Sequence, residues 1–372
     1  MLFMKRSNYS FISQTLFRFA LFGVMFFSSA VFALVTPKIV GGSSGASLPW
    51  QAYLKINSQG QTYTCGAVVI GSHTILTAAH CLEFNDKIVT PSQVSVWTGI
   101  TQTSQASYSS SLPVKRIDLH PLFDSDTFIN DIAVISLVDE VTSNAIPITL
   151  TQPDEQQEMD TQFALTWVTN GSREGNLLVS GWGSTDPTLN DTSGSSQLQA
   201  TVLSGVPDSI CRSLWGGFIS LDESTQFLCA AATAPWKDQD SCLGDSGGPL
   251  IWQDPQHSND SDYGLRLAGI VSFGDGCDGK RPGGYTEVSH YYSWIASHMD
   301  EELQLSNQAV FTENPFTRYD EDGDLLDEFQ DALDDTQDGL QQLEDNIDKY
   351  TSGGSLSWLS LLGVMFLAWR RR

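Results

Sequence analysis

The stretch Asp240–Pro249, DSCLGDSGGP, sets one serine, Ser246, among glycines 244, 247 and 248 and beside Asp245. A serine hydroxyl is a weak nucleophile until a base takes its proton. Attack on a carbonyl also needs donors that hold the oxyanion it creates. Glycines let backbone N–H groups crowd close to a reacting carbonyl, which is what an oxyanion hole requires. A candidate base is His80, in Leu76–Cys81 (LTAAHC), and a candidate acid is Asp131, in Asn130–Leu137 (NDIAVISL). An imidazole steered by a carboxylate serves first as general base and then as general acid, which is the chemistry of acyl transfer. Taken alone, a histidine in an apolar run is usually a packing residue, and an aspartate at a strand start is usually a cap.

Gly244–Gly248 also fits G-x-S-x-G, the nucleophile elbow of α/β-hydrolases, which needs a helix directly after the serine. Here Pro249 follows, and Leu250-Ile251-Trp252 reads as a strand. The order His80, Asp131, Ser246 is instead that of the chymotrypsin-type triad. TAAHC, NDIAV and GDSGGP, in this order after the Ile39–Gly42 start IVGG, resemble the trypsin-like serine endopeptidases of the chymotrypsin family. The resemblance spans about Ile39 to His298.

The resemblance implies an all-β fold of two six-stranded antiparallel barrels, with the site in the cleft between them. It makes His80 the base, Asp131 the acid that sets its tautomer, Ser246 the nucleophile, and the Gly244 and Ser246 amides the oxyanion hole. It makes Asp240 the floor of the S1 pocket, where a carboxylate selects Lys or Arg, with Ser272, Gly274 and Gly283 also binding substrate. Phe273 stands where the family usually carries Trp. Cleavage after Lys38 would free an amino group on Ile39 that turns inward to pair with Asp245. The alternative for IVGG is a first strand and turn. A module of this fold that acts by binding alone is the other reading of the whole, and a missing triad residue would have signalled it.

The elements around these residues read as strands. Apolar, often β-branched runs occur at Gln51–Ile56, Thr62–Ile70, Thr74–Ala79, Val94–Ile100 and Ile132–Val138. They resume at Asn176–Trp182, Gln197–Leu203, Phe227–Ala231, Pro249–Trp252, Leu265–Phe273 and Gly284–Val288. Regular short strands separated by Gly, Ser, Asn and Asp indicate a sandwich or barrel. Residues 152–175 are polar and read as an inserted surface loop, and His290–His298 reads as a short helix.

The 372 residues carry a net charge of −25, which argues against nucleic acid as a partner. Between residues 300 and 350, 17 acidic residues face 2 basic ones, so the acidity is concentrated there. The six cysteines, 65, 81, 211, 229, 242 and 277, suit disulfides in an exported chain. The family resemblance implies the pairs 65–81, 211–229 and 242–277. A zinc site is the alternative, although no CxxC pair is present.

The domain reading is then as follows. Residues 1–33, with a basic start and an apolar run ending Val31-Phe32-Ala33, read as a signal peptide, or else a retained anchor. Residues 34–38 are an activation propeptide, 39–298 the protease domain and 299–351 an acidic stalk. Asp320–Asp327 resembles an acidic calcium loop without EF-hand spacing, so no cofactor is required, with calcium a candidate there. Apolar residues from Leu326 to Ile347 at three- and four-residue steps suggest a helical or coiled-coil stretch, or a disordered one. Residues 352–372 join Gly353-Gly354, a short apolar run and Arg370–Arg372. This tail resembles the GlyGly-CTERM sorting signal of Gram-negative bacteria. The resemblance implies removal by a rhomboid-type protease and export by type II secretion to the surface or medium. A plain tail anchor is the alternative.

Overall fold

A computed structural model describes residue 39 and residues 42–329, apart from 45–47, 185, 192, 221–223, 278, 302, 304–308 and 321–322. The leader, Lys38 and everything from residue 330 onward, including the Gly353-Gly354 tail, lie outside the described residues.

The first strand is short, β1 (Ser43–Ser44). Six strands then form one sheet: β2 (Gln51–Ser58), β3 (Gln61–Val69), β4 (Thr74–Thr77), β5 (Val94–Thr98), β6 (Val114–Leu119) and β7 (Ala133–Leu137). They pair in the order β5-β2-β3-β4-β7-β6, and a bridge from Val96 to Leu112 curls one edge toward the other. Leu54, Ile56, Val68, Ile75, Val134 and Ile135 fill the interior at 0 % exposure. Every run read from the sequence as a strand contains one. β6 was not among them, because VKRIDL interleaves charges with its apolar residues. It pairs only with β7, at the end of the sheet, where charged side chains are tolerated and discourage further pairing.

The second barrel follows with β8 (Thr149–Leu150), β9 (Leu177–Gly181), β10 (Gln199–Val206), β11 (Phe227–Ala231), β12 (Pro249–Gln253), β13 (Leu265–Phe273) and β14 (Gly283–Glu287). Six of these close a ring, β9-β10-β11-β14-β13-β12, with β12 pairing back onto β9. β1 adds to β10, and β8 runs parallel to β13. This is the two-barrel architecture that the resemblance implies.

One expectation is corrected. Residues 152–175 are not simply a surface loop, because Pro153–Thr166 forms helix α1. Pro153 opens it, and the Glu155 carboxylate accepts from the Gln152 amide at 2.8 Å, as in a capping box. Met159 and Phe163, one turn apart, are buried. The Phe163 ring fills the space that a side chain at Gly205 would occupy. Two inward residues among polar ones give too weak a periodicity to read from sequence. Helix α2 (Asp208–Trp215) precedes β11, and α3 (Tyr292–His298) matches the expected short helix.

The segment expected as a stalk does not leave the domain over its described length. Glu301 accepts from the Ser72 amide and hydroxyl, the His73 amide and the Thr74 hydroxyl at 2.5–3.0 Å. Burial works against ionisation of Glu301, but these four donors outweigh it and hold the carboxyl below its usual range. Farther along, Phe311 is buried with its ring 4.9 Å from that of Trp50. Asp320 and Asp324 close a turn in which Asp320 Oδ1 accepts the Asp324 amide at 2.8 Å. Glu321 and Asp322 of the candidate calcium loop lie outside the described residues. Among the described residues no helix is long and apolar enough to cross a membrane.

If α1 belongs to the second core, Phe163→Ala in a Ser246→Ala background should lower unfolding free energy by about 3–5 kcal/mol. Urea denaturation measures this; a change below about 0.5 kcal/mol would mark α1 as a dispensable surface insert.

Candidate active site

His80 sits in a single 3-10 turn, Ala79–Cys81, directly after β4. Asp131 lies two residues before β7 and is fully buried. β4 and β7 are paired neighbours, so the sheet delivers both residues to one end. The Asp131 carboxylate binds His80 twice: Oδ1 accepts the His80 amide at 2.8 Å, and Oδ2 lies 2.7 Å from Nδ1. This leaves Nε2 as the ring nitrogen facing away from the acid. Burial disfavours the imidazolium, but the charge and the hydrogen bond of Asp131 outweigh it, and the His80 pKa is raised above its ordinary value.

The second barrel also reaches the acid. Ser272 on β13 donates from Oγ to Asp131 Oδ2 at 2.5 Å, and Thr286 on β14 donates to the Asp131 carbonyl at 2.7 Å. The sequence places Ser272 with the substrate-binding residues, yet its hydroxyl is committed to the acid. Thr286 has no sequence signal of its own and is found only from the fold.

Ser246 lies between β11 and β12. Its carbonyl accepts the Gly66 amide at 2.8 Å and lies 3.6 Å from Cys81 Sγ, which is itself 3.9 Å from His80 Nε2. The serine and the histidine are thus brought to one place, although no hydrogen bond joins Ser246 Oγ to His80 among the described residues. The loop around Ser246 treats its amides unequally. The amides of Asp245, Gly247 and Gly248 each donate to a backbone carbonyl at 2.8–3.0 Å. Those of Gly244 and Ser246 have no acceptor among the described residues. Gly244 has φ +100°, and a Cβ there would come within 3.0 Å of the Gly183 Cα, so only glycine suits that position.

Asp245 is fully buried and accepts the Gly183 amide at 2.8 Å and the Cys242 amide at 2.9 Å. Burial pushes its pKa up to about 7, against the pull of those two donors. No cation pairs with it among the described residues. Ile39 is also fully buried, and its side chain joins Leu177, Val179 and Leu228 in the second-barrel core. Its φ of +98° is strained for a β-branched residue.

Asp240 is 5 % exposed. A Cβ on Gly283 would stand 3.0 Å from its Oδ1, so that glycine leaves room beside the carboxylate. Burial first, and then the Asp240 charge, push the Tyr285 phenol up, and Tyr285 Oη lies 3.2 Å from Ser241 Oγ. Gly274 directly follows β13 and is exposed. The disulfides Cys65–Cys81, Cys211–Cys229 and Cys242–Cys277 are all formed, and no cysteine is free among the described residues. The first flanks His80 and the third flanks the Asp240–Ser246 loop.

An aromatic surface beside His80 was not anticipated from the sequence. Phe273 packs with Trp215, Phe218 and Phe227 at 5.0–5.2 Å and with Phe128 at 5.8 Å, and Phe128 is 5.6 Å from the His80 ring. These rings come from four separate segments, the loop before β7, the end of α2 with the turn after it, β11 and β13, so no local spacing marks them.

The family described as Trypsin matches residues 39–295. Trypsin-1 of Astacus astacus is 32 % identical over 267 residues, covering 70 % of this chain and 99 % of that protein. Transmembrane protease serine 7 of Mus musculus is 34 % identical over 263 residues, and serine protease 56 of Homo sapiens is 32 % identical over 270. Each covers 70 % of this chain, which spans only 28 % and 39 % of those two longer relatives. With two six-stranded barrel-like sheets, a histidine held by a buried acid, and a matched serine loop, the chain belongs to the trypsin family of serine endopeptidases.

Proposed function

We propose that this protein hydrolyses peptide bonds after Arg and Lys through an acyl-enzyme on Ser246. The observation that carries the reading is the pairing of an acid-held imidazole with two unoccupied amides around one serine. His80 Nε2 takes the Ser246 proton as Oγ bonds to the scissile carbonyl carbon. The oxyanion is held by the Gly244 and Ser246 amides. The tetrahedral adduct collapses when the protonated His80 gives its proton to the leaving amine. Water then enters, His80 takes one proton from it as the water oxygen bonds to the acyl carbon, and the second adduct collapses when His80 returns that proton to Ser246 Oγ, releasing the acid product. Asp131 stabilises the imidazolium throughout. Removing one oxyanion donor costs about 3 kcal/mol of barrier in such sites.

The buried Asp240 carboxylate supports a preference for a cationic side chain, since a guest of opposite charge gains an attraction there that a neutral guest does not. The aromatic surface around Phe273 suits apolar side chains ahead of the scissile bond. Arg-P1 peptides should be cleaved and Phe-P1 peptides should not. Asp240→Ser should lower kcat/KM for the Arg-P1 peptide by at least about 100-fold, as for a buried charge pair that loses one partner. Rapid turnover of Phe-P1 and none of Arg-P1 would refute the preference.

Activation by cleavage after Lys38 is supported by two features of the uncut chain. Ile39 is buried with a strained φ, and a free amino terminus has no φ to strain. Asp245 is buried without a cation, and a new ammonium on Ile39 would supply one. The sign of the pH effect follows. The folded Asp245 pKa is above its unfolded value, so the uncut fold binds the proton more tightly and loses stability as pH rises from about 4 through about 7. Uncut Ser246→Ala protein should therefore weaken over that range relative to the same chain carrying Asp245→Asn. Urea midpoints at pH 5 and pH 7.5 test this; parallel curves would exclude the buried, unpaired acid.

Export and loss of the Gly353-Gly354 tail complete the reading. The intact mass of the secreted protein should correspond to a C-terminus short of Trp369, and retention of Trp369 would reject processing.

A further inference from the structure

The acidic segment that follows the protease domain touches the loop that carries Asp240 at Gly323. Gly323 is buried and sits in a niche between two second-barrel side chains. A Cβ there would lie 2.7 Å from Thr233 Cγ2 and 2.8 Å from Val202 Cγ2, and its φ is +77°. Its carbonyl accepts from Gln239 Nε2 at 3.2 Å. Gln239 immediately precedes Asp240, is 5 % exposed, and through Oε1 accepts from the Thr233 hydroxyl at 2.9 Å. One residue on, Asp324 Oδ1 lies 2.8 Å from Lys237 Nζ.

The same segment touches the start of the domain. Tyr319 Oη donates to the Ala200 carbonyl at 2.9 Å and lies 3.2 Å from Ser43 Oγ. Ser43 belongs to β1, the strand that begins four residues after Ile39, and is paired with Ala200. Tyr319 and Leu325 form an antiparallel bridge. Tyr319 therefore contacts the region of β1, while Gly323 contacts the loop ahead of Asp240.

We propose that Tyr319, Gly323 and Asp324 form a positioning element for the substrate-binding loop, with Gly323 as the residue that seats it. The element contacts no substrate; it acts through Gln239 on the placement of Asp240. The relative weights of its contacts follow from burial. The Lys237–Asp324 pair is exposed, with the carboxylate 63 % accessible, so it contributes little. The Gln239–Gly323 bond is buried, and a buried amide left without its partner costs more than an exposed ion pair gains. Seating is thus the work of the glycine niche.

The inference rests on Asp240 as the floor of the primary specificity pocket. The test uses full-length, activated protein with benzamidine, a small cation that mimics the arginine side chain, and an Arg-P1 peptide. Gly323→Val should raise both KM and the benzamidine dissociation constant about tenfold, the scale of one buried hydrogen bond to a functional group. Its kcat should fall much less, because loss of ground-state binding raises KM with kcat preserved. Asp324→Ala should change either quantity by less than about twofold. Gly323→Ala, which adds one methyl group at the same point, replaces the valine variant if that chain fails to fold. A lowered melting temperature with unchanged KM and benzamidine affinity would overturn the proposal and leave a merely structural strap. Wild-type protein that binds no benzamidine would overturn the specificity reading and this proposal together.

Discussion

A single buried carboxylate joins the two barrels at the point where chemistry is expected. Asp131 is fixed by the His80 backbone and ring from the first barrel, and by Ser272 from the second. Its own carbonyl is held by Thr286 of β14. A charge with no solvent exposure is tolerable only when its lone pairs are satisfied by donors. Here those donors come from both halves of the molecule, so satisfying the charge also sets the halves in register. The histidine gains a defined tautomer and a raised pKa from the same contacts.

Asp245 presents the opposite case. It is as deeply buried as Asp131, but has only two amide donors and no cation among the described residues, and its pKa is pushed up to about 7. The donors around Asp131 come from both barrels, whereas Asp245 holds two amides only. Under the activation proposed above, the new terminus of Ile39, buried in the adjoining core, would supply its cation. The segment near Gly323 meets both β1 and the loop ahead of Asp240. Over its described residues the C-terminal extension is tied to the protease fold, and not only appended to it.

Much of this was legible in the sequence, for identifiable reasons. The strand runs have strong period-two or fully apolar patterns, and each contains a strand. The residues of the serine loop, TAAHC and NDIAV stretches are short, local and chemically specific, and the fold brings all three together. β6 was missed because Lys115, Arg116 and Asp118 break its apolar pattern. Helix α1 was missed because only Met159 and Phe163 point inward. The aromatic surface around Phe273 and the support of Asp131 by Thr286 depend on contacts between residues far apart in sequence. Composition misled at the C-terminus: a dense acidic stretch suggests a solvated stalk, but Glu301, Phe311, Tyr319 and Gly323 are specific docking residues within it. Their contacts outweigh the average charge around them.

The central claim is that one serine is activated by His80 and Asp131. The most direct test is reaction of the activated protein with a fluorophosphonate, followed by peptide mass spectrometry. The account predicts a single stoichiometric adduct on Ser246, formed rapidly in the wild type and not detectably in His80→Ala. An adduct on another residue, or equal labelling of Ser246 with and without His80, would contradict it.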